Sequence, residues 1–118
     1  MRVLTDMIRL DDNVQKSLHD LLDSMRQTEI FQNYVTHRQC VDAQPELKRQ
    51  IDEYRHKNLE IQQNYQGEEL LRRMEEFEIQ YESLCANPLV DHYLSAELAL
   101  VRMYQAMERQ VLEALELR

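Results

Sequence analysis

The sequence predicts an all-α protein, and three observations carry that reading. Turn-forming residues are scarce: 118 residues include one Gly and two Pro, where average usage gives about 8 and 6. A multi-strand sheet needs many turns, and this chain has little to build them from. Apolar residues recur at spacings of three and four, the period of one face of a helix. The gaps between periodic segments fall at cap residues and at both prolines. The expected architecture is short N-terminal helices, a long antiparallel helical hairpin and a long C-terminal helix. It makes a single helical domain over 1–118, with helices at about 12–26, 28–43, 45–66, 68–86 and 88–117, assembled as an oligomeric helical bundle.

The first helix carries Val14, Leu18, Leu21, Leu22 and Met25 on one face, with Asp11, Asp12 and Asn13 as cap residues near its start. The second follows Thr28, an N-cap residue, and places Phe31, Tyr34, Val35 and Arg38 at helical spacing. It ends near Ala43 because the residue before Pro45 resists the α region. Pro45 then suits the first turn of a third helix. Its seam is Leu47, Ile51, Tyr54, Asn58, Ile61 and Tyr65, spaced 4, 3, 4, 3, 4, a strict heptad pattern. Gly67 is expected to supply the left-handed conformation that stops it.

The fourth helix answers with Leu70, Met74, Phe77, Tyr81 and Leu84, spaced 4, 3, 4, 3. Glu68 and Glu69 favour its positive end and stand four residues before Arg72 and Arg73, the better order for ion pairing. Two heptad helices joined by a short tip must be antiparallel neighbours, in a hairpin roughly 30 Å long. Asn87 caps the fifth helix and Pro88 opens it. Leu89, Val90, Tyr93, Leu94, Leu98, Leu100, Val101, Tyr104, Met107, Val111, Leu112 and Leu115 make its apolar surface broader than a two-helix seam. A helix apolar on more than one side needs more than one neighbour, so a symmetric homodimer is expected.

Composition excludes several function classes. Net charge is −8, with 9 basic and 11 acidic residues in 1–66 and 5 and 11 in 67–118. Neither half has the basic face that phosphate neutralisation requires, which argues against direct nucleic-acid binding and against anionic membrane surfaces. No apolar run approaches a signal peptide or a membrane span. Cys40 and Cys85, 45 residues apart, make no CxxC pair and no disulfide framework. A reducing cytoplasm is the expected home.

Polar residues inside apolar seams are the candidate sites. Asn58 takes a core-type position, where a buried Asn fixes register and partner number. Glu97 falls in line with Val90, Leu94, Val101 and Tyr104. A carboxylate there must be paired, protonated or at the seam edge. An interhelical salt bridge or a hydrogen bond to Tyr is the plain reading, a partner contact the next, a catalytic acid the last. His37 and Cys40 lie one turn apart but supply two of the three or four ligands zinc needs. A surface His and a small buried Cys explain them, and no metal or other cofactor is expected. His19 and His56 are expected on the surface. The six tyrosines recur at seam positions, suited to packing with the hydroxyl at the rim. No phosphate loop, nucleophile elbow, zincin or EF-hand motif occurs. A helical dimer of the chorismate mutase kind, suggested by "IRLDDNVQKSLHDLLDSMRQ", holds a dianionic substrate on inward cations. The residues interrupting the clearest seams here, Asn58 and Glu97, are not cationic. The residues expected to contact a second copy or a partner are Tyr54, Asn58, Ile61, Tyr93, Glu97, Val101 and Tyr104. The competing reading is a small-molecule-binding or catalytic helical dimer with Glu97 in its site.

Two segments, "EIFQNYVTHRQCVDAQPELKRQIDEYRHKNLEIQ" (29–62) and "NPLVDHYLSAELALVRMYQAMERQV" (87–111), carry a resemblance to the YlbF/YmcA family of small bacterial regulators. The first is similar to that family's short helix, break and long helix with an aromatic near "IDEYR". The second is similar to its Asn-Pro start, Tyr, small-residue-plus-Glu pair (Ala96-Glu97) and terminal amphipathic helix. The resemblance implies a non-enzymatic cytoplasmic adaptor that oligomerises and works through protein partners, sister family subunits among them. It implies roles in competence, sporulation and biofilm formation, through messenger-RNA processing by ribonuclease Y. Iron–sulfur-binding relatives carry cysteines near the C-terminus, and this chain has none after Cys85.

Overall fold

A computed structural model describes residues 8–117. Six helices follow in order, and no strand occurs among the described residues: α1 (Asp12–Arg26), α2 (Glu29–Asp42), α3 (Pro45–Asn64), α4 (Gly67–Gln80), α5 (Glu82–Ala86) and α6 (Pro88–Ala114). The fold is all-α.

Caps fix the helix starts where the sequence places cap residues. The Asp11 carboxylate accepts from the Asn13 N–H at 2.9 Å, Thr28 Oγ1 from the Phe31 N–H at 3.1 Å, and Asn87 Oδ1 from the Leu89 N–H at 3.0 Å. Each satisfies a donor that the first helical turn leaves without a partner. Gln44, before Pro45, is non-helical at φ −124 and ψ 85.

α3 and α4 form the antiparallel hairpin within one chain, with Tyr54 stacked on Phe77 and edge-on to Tyr81. Two details differ from expectation. α3 stops at Asn64, and Tyr65 and Gln66 are extended. The Arg73 guanidinium lies 4.4 Å over the Tyr65 ring, a contact across the tip that takes the place of the last half-turn. Gly67, at φ +59, opens α4 rather than closing α3. The helix expected at 68–86 is also broken, at Tyr81 (φ −105, ψ 16). The bend keeps Phe77 and Tyr81 buried beside Tyr54 while turning Leu84 onto the main core. The heptad runs through this point unchanged, so nothing in the spacing marks the break. A smaller difference concerns ion pairs: Arg72 binds Glu69 and Glu76, not Glu68.

The main core is small. Val41, Ile51, Val90 and Tyr93 are buried, with Tyr34, Leu47, Leu84, Leu89 and Leu94 around them. It sits where α2, α3 and the first half of α6 meet. The most extensive helix pairing is α2 against α6, running antiparallel, with Tyr34 on Tyr93 and His37 against His92. α1 contributes no buried residue.

The molecule is extended for its mass. Its radius of gyration is 18.4 Å, where a compact chain of this length gives about 13–14 Å. Its accessible surface is 9657 Å², against about 6,800 Å² for a folded monomer of this mass.

Candidate interaction surface

α6 has two halves of different character. The first lies in the core: Val90, Tyr93 and Ala96 are buried. Beyond Ala96 no residue of the helix is buried. Exposure there runs from 42% at Val101 through 54% at Tyr104 and 55% at Val111 to 62% at Leu115. The antiparallel α2 accounts for the difference, because its first turn lies beside Ala99 and α6 continues past it.

Glu97 stands at this boundary. Arg55 of α3 donates from Nη2 to Glu97 Oε2 at 2.7 Å, so the interhelical salt bridge is present. The side chains are 38% and 30% exposed. The Arg55 guanidinium also lies 5.3 Å over the Tyr93 ring. Tyr93 stacks on Tyr34 at 6.0 Å, and the Arg38 guanidinium lies 5.6 Å over the Tyr34 ring. Partial burial works to lower the Arg55 pKa, but the charge of Glu97 and the Tyr93 hydroxyl outweigh it and leave it raised. For Tyr93 burial is the largest effect and raises the phenol pKa, against the opposing pull of Arg55.

Arg55 is the residue the sequence reading missed. An inward cation does interrupt a seam, contrary to the inspection of Asn58 and Glu97 alone. Its signal was the spacing: Arg55 lies four residues after Ile51, on the same face as Tyr54 and Asn58. Its charge is engaged with Glu97, which makes it a brace between α3 and α6.

The other expected residues scatter. Tyr54 lies in the hairpin with Phe77 and Tyr81. Ile61 lines a groove of about 190 Å³ with Lys57, Tyr65, Arg73 and Phe77. Asn58 is half-buried, and its Oδ1 accepts from Gln62 Nε2 at 3.0 Å along its own helix, so it is not the deeply buried seam residue expected. Val101 and Tyr104 lie on the exposed half of α6. Cys40 is exposed, not buried as expected, and Cys85 is half-buried. α2 turns its Val41 side inward and leaves Cys40 outside.

His37 and His92 face each other with ring centroids 5.6 Å apart. They border an open groove of about 370 Å³ with Asn33, Ser95 and Ala99. Among the described residues no three His, Cys, Asp or Glu side chains gather as metal ligands. No described helix is long and apolar enough to cross a membrane.

These features define an all-helical protein whose C-terminal helix carries exposed apolar side chains beyond its own core. The sequence profile described as "Control of competence regulator ComK, YlbF/YmcA" matches residues 14–116, and the chain belongs to that family. It is similar to a UPF0342 protein of Caldicellulosiruptor saccharolyticus, 23% identical over 109 residues, covering 90% of each chain. A UPF0342 protein of Caldicellulosiruptor bescii is 21% identical over 106 residues, covering 88% of this chain and 89% of the relative. No solved structure matches. The family's name ties it to regulation of competence, which fits a regulatory role.

Proposed function

We propose that the protein is a non-enzymatic, cytoplasmic regulatory adaptor that self-associates and acts through other proteins. The observation that carries this is the set of exposed apolar side chains from Val101 in the distal half of α6 to Leu115 just past its end. Apolar patches of that extent on a soluble chain mark association surfaces. The surplus over a compact monomer, roughly 2,800 Å² per chain, is more than enough for the roughly 1,000–2,500 Å² that each partner of an obligate homodimer buries.

Val101 and Tyr104 are the interface residues in this reading, with Glu97 at the edge where the core gives way to the exposed face. Tyr54 and Tyr93 serve it indirectly, by holding α3 and α6 in place. Asn58 and Ile61 lie on the hairpin, available to a partner. Membership of a competence-control family supports the regulatory part. The finer reading places the adaptor with sister family subunits in messenger-RNA processing by ribonuclease Y, affecting competence, sporulation and biofilm formation. A net charge of −8 favours contact with proteins over direct contact with RNA.

The test is affinity purification of the tagged chain from its native cell, with Val101→Glu in parallel. Ribonuclease Y or sister subunits should accompany the wild type and be depleted with the variant. A wild-type monomer that captures neither and instead binds an acidic metabolite would favour the small-molecule reading.

A further inference from the structure

Two apolar faces of this chain lie open, and they match in length and pattern. α1 has 15 residues, roughly 22 Å of helix. Its Val14, Leu18 and Leu21 are exposed at spacings of four and three. α6 runs past Ala99 to Ala114 for a similar length. Val101, Tyr104 and Val111 are exposed there, in a heptad register in which Glu108 takes one place. Heptad-spaced faces are what two helices need to interlock side chains.

α1 is also held in its direction. Thr28 Oγ1 donates to Met25 O at 2.7 Å while accepting from the Phe31 N–H. Gln32 Nε2 donates to Arg26 O at 2.6 Å. These bonds close the α1–α2 corner, and α1 leaves it as an arm whose packing is against α2.

We propose that α1 of one copy docks on the distal half of α6 of a second copy, and reciprocally. This rests on the self-association reading and names the element that makes the contact. Two-fold symmetry repeats the contact, so one interaction covers four open faces. Pairing α6 with its counterpart alone would cover that helix and leave both α1 faces in water. Each copy carries roughly 2,800 Å² more surface than a compact monomer, enough for the roughly 1,000–2,500 Å² that one partner of a permanent homodimer buries, and the reciprocal arrangement draws on both open faces for it.

The experiment uses the full chain with Cys40→Ser and Cys85→Ser, in forms of two different masses. One form carries Leu18→Cys, the other Tyr104→Cys or Val111→Cys, and disulfides are formed after mixing. A cross-link between the two forms is expected. Leu18→Glu with Leu21→Glu should weaken the dimer about tenfold or more with helicity unchanged, since α1 holds no buried residue. Tyr104→Cys chains that link to each other and never to Leu18→Cys would overturn the proposal while self-association stands. An intramolecular link in a chain carrying both cysteines, at monomer mass, would overturn it as well. A wild-type chain that stays monomeric at every concentration would overturn both the proposal and the reading beneath it.

Discussion

The Arg55–Glu97 pair shows how one contact joins the core of this protein to its open surface. It is the shortest bond between side chains of different helices, at 2.7 Å, and it lies where α6 passes from buried to bare. A pair about one-third exposed falls between surface bridges, worth up to about 1 kcal/mol, and buried ones, whose breaking costs about 3–5 kcal/mol. Glu97→Gln is therefore expected to destabilise the fold by about 1–2 kcal/mol in urea unfolding. In a double-mutant cycle with Arg55→Met the two losses should be less than additive; full additivity would mean the residues act independently. The tyrosines give a pH signature. Burial, with the Glu53 carboxylate beside Tyr81 and Cys85 beside Tyr54, raises the phenol pKa of Tyr54, Tyr81 and Tyr93. Folding then favours the neutral phenol. Its contribution is whole below the unfolded value of about 10 and is lost as pH rises through the raised folded values. The urea midpoint should fall above about pH 10, and less steeply in Tyr93→Phe; an unchanged slope would show that Tyr93 titrates as it does in the unfolded chain.

Among elements, the hairpin and α6 depend on different parts of the chain. Ile51 faces the core from α3 and is 1% exposed, so Ile51→Ala should cost about 2–4 kcal/mol, read from the unfolding midpoint. Gly67 stands apart, because nothing lies within 4 Å of a Cβ built there and its φ is +59. Gly67→Ala should cost about 1 kcal/mol through backbone strain alone, and a neutral result would mean that the tip relaxes. The helices were legible because their signals are local. Thr28, Asn87 and the prolines mark ends by their own chemistry, and three-four spacing marks faces. The stop at Asn64 and the bend at Tyr81 were not legible. Each is set by contacts with another helix, Tyr65 with Arg73 and Tyr81 with Tyr54, that leave no trace in spacing. The charge balance of the site was hidden for the same reason. Glu97 stood out as a carboxylate among apolar neighbours, while Arg55, one residue off the seam of a helix with many other charges, carried no such signal. Only the packing of α3 against α6 joins residues 42 positions apart.

At the scale of the whole molecule, the central claim is that one copy does not cover its own apolar helices. A radius of gyration of 18.4 Å and a core of a few residues describe a chain that leaves much of its helical surface open, and the proposed self-association would supply the cover. Opening α1 and the distal half of α6 to water indefinitely would leave Val14, Leu18, Leu21, Val101, Tyr104, Val111 and Leu115 unshielded. Val101→Glu with Tyr104→Glu is expected to separate the copies and leave helicity intact, since neither side chain belongs to the core. The direct measurement is sedimentation equilibrium of the wild type across a range of concentrations. The account predicts a mass that is a multiple of 14.3 kDa, dropping to that of one chain in the double variant. A wild-type mass of 14.3 kDa throughout would contradict it.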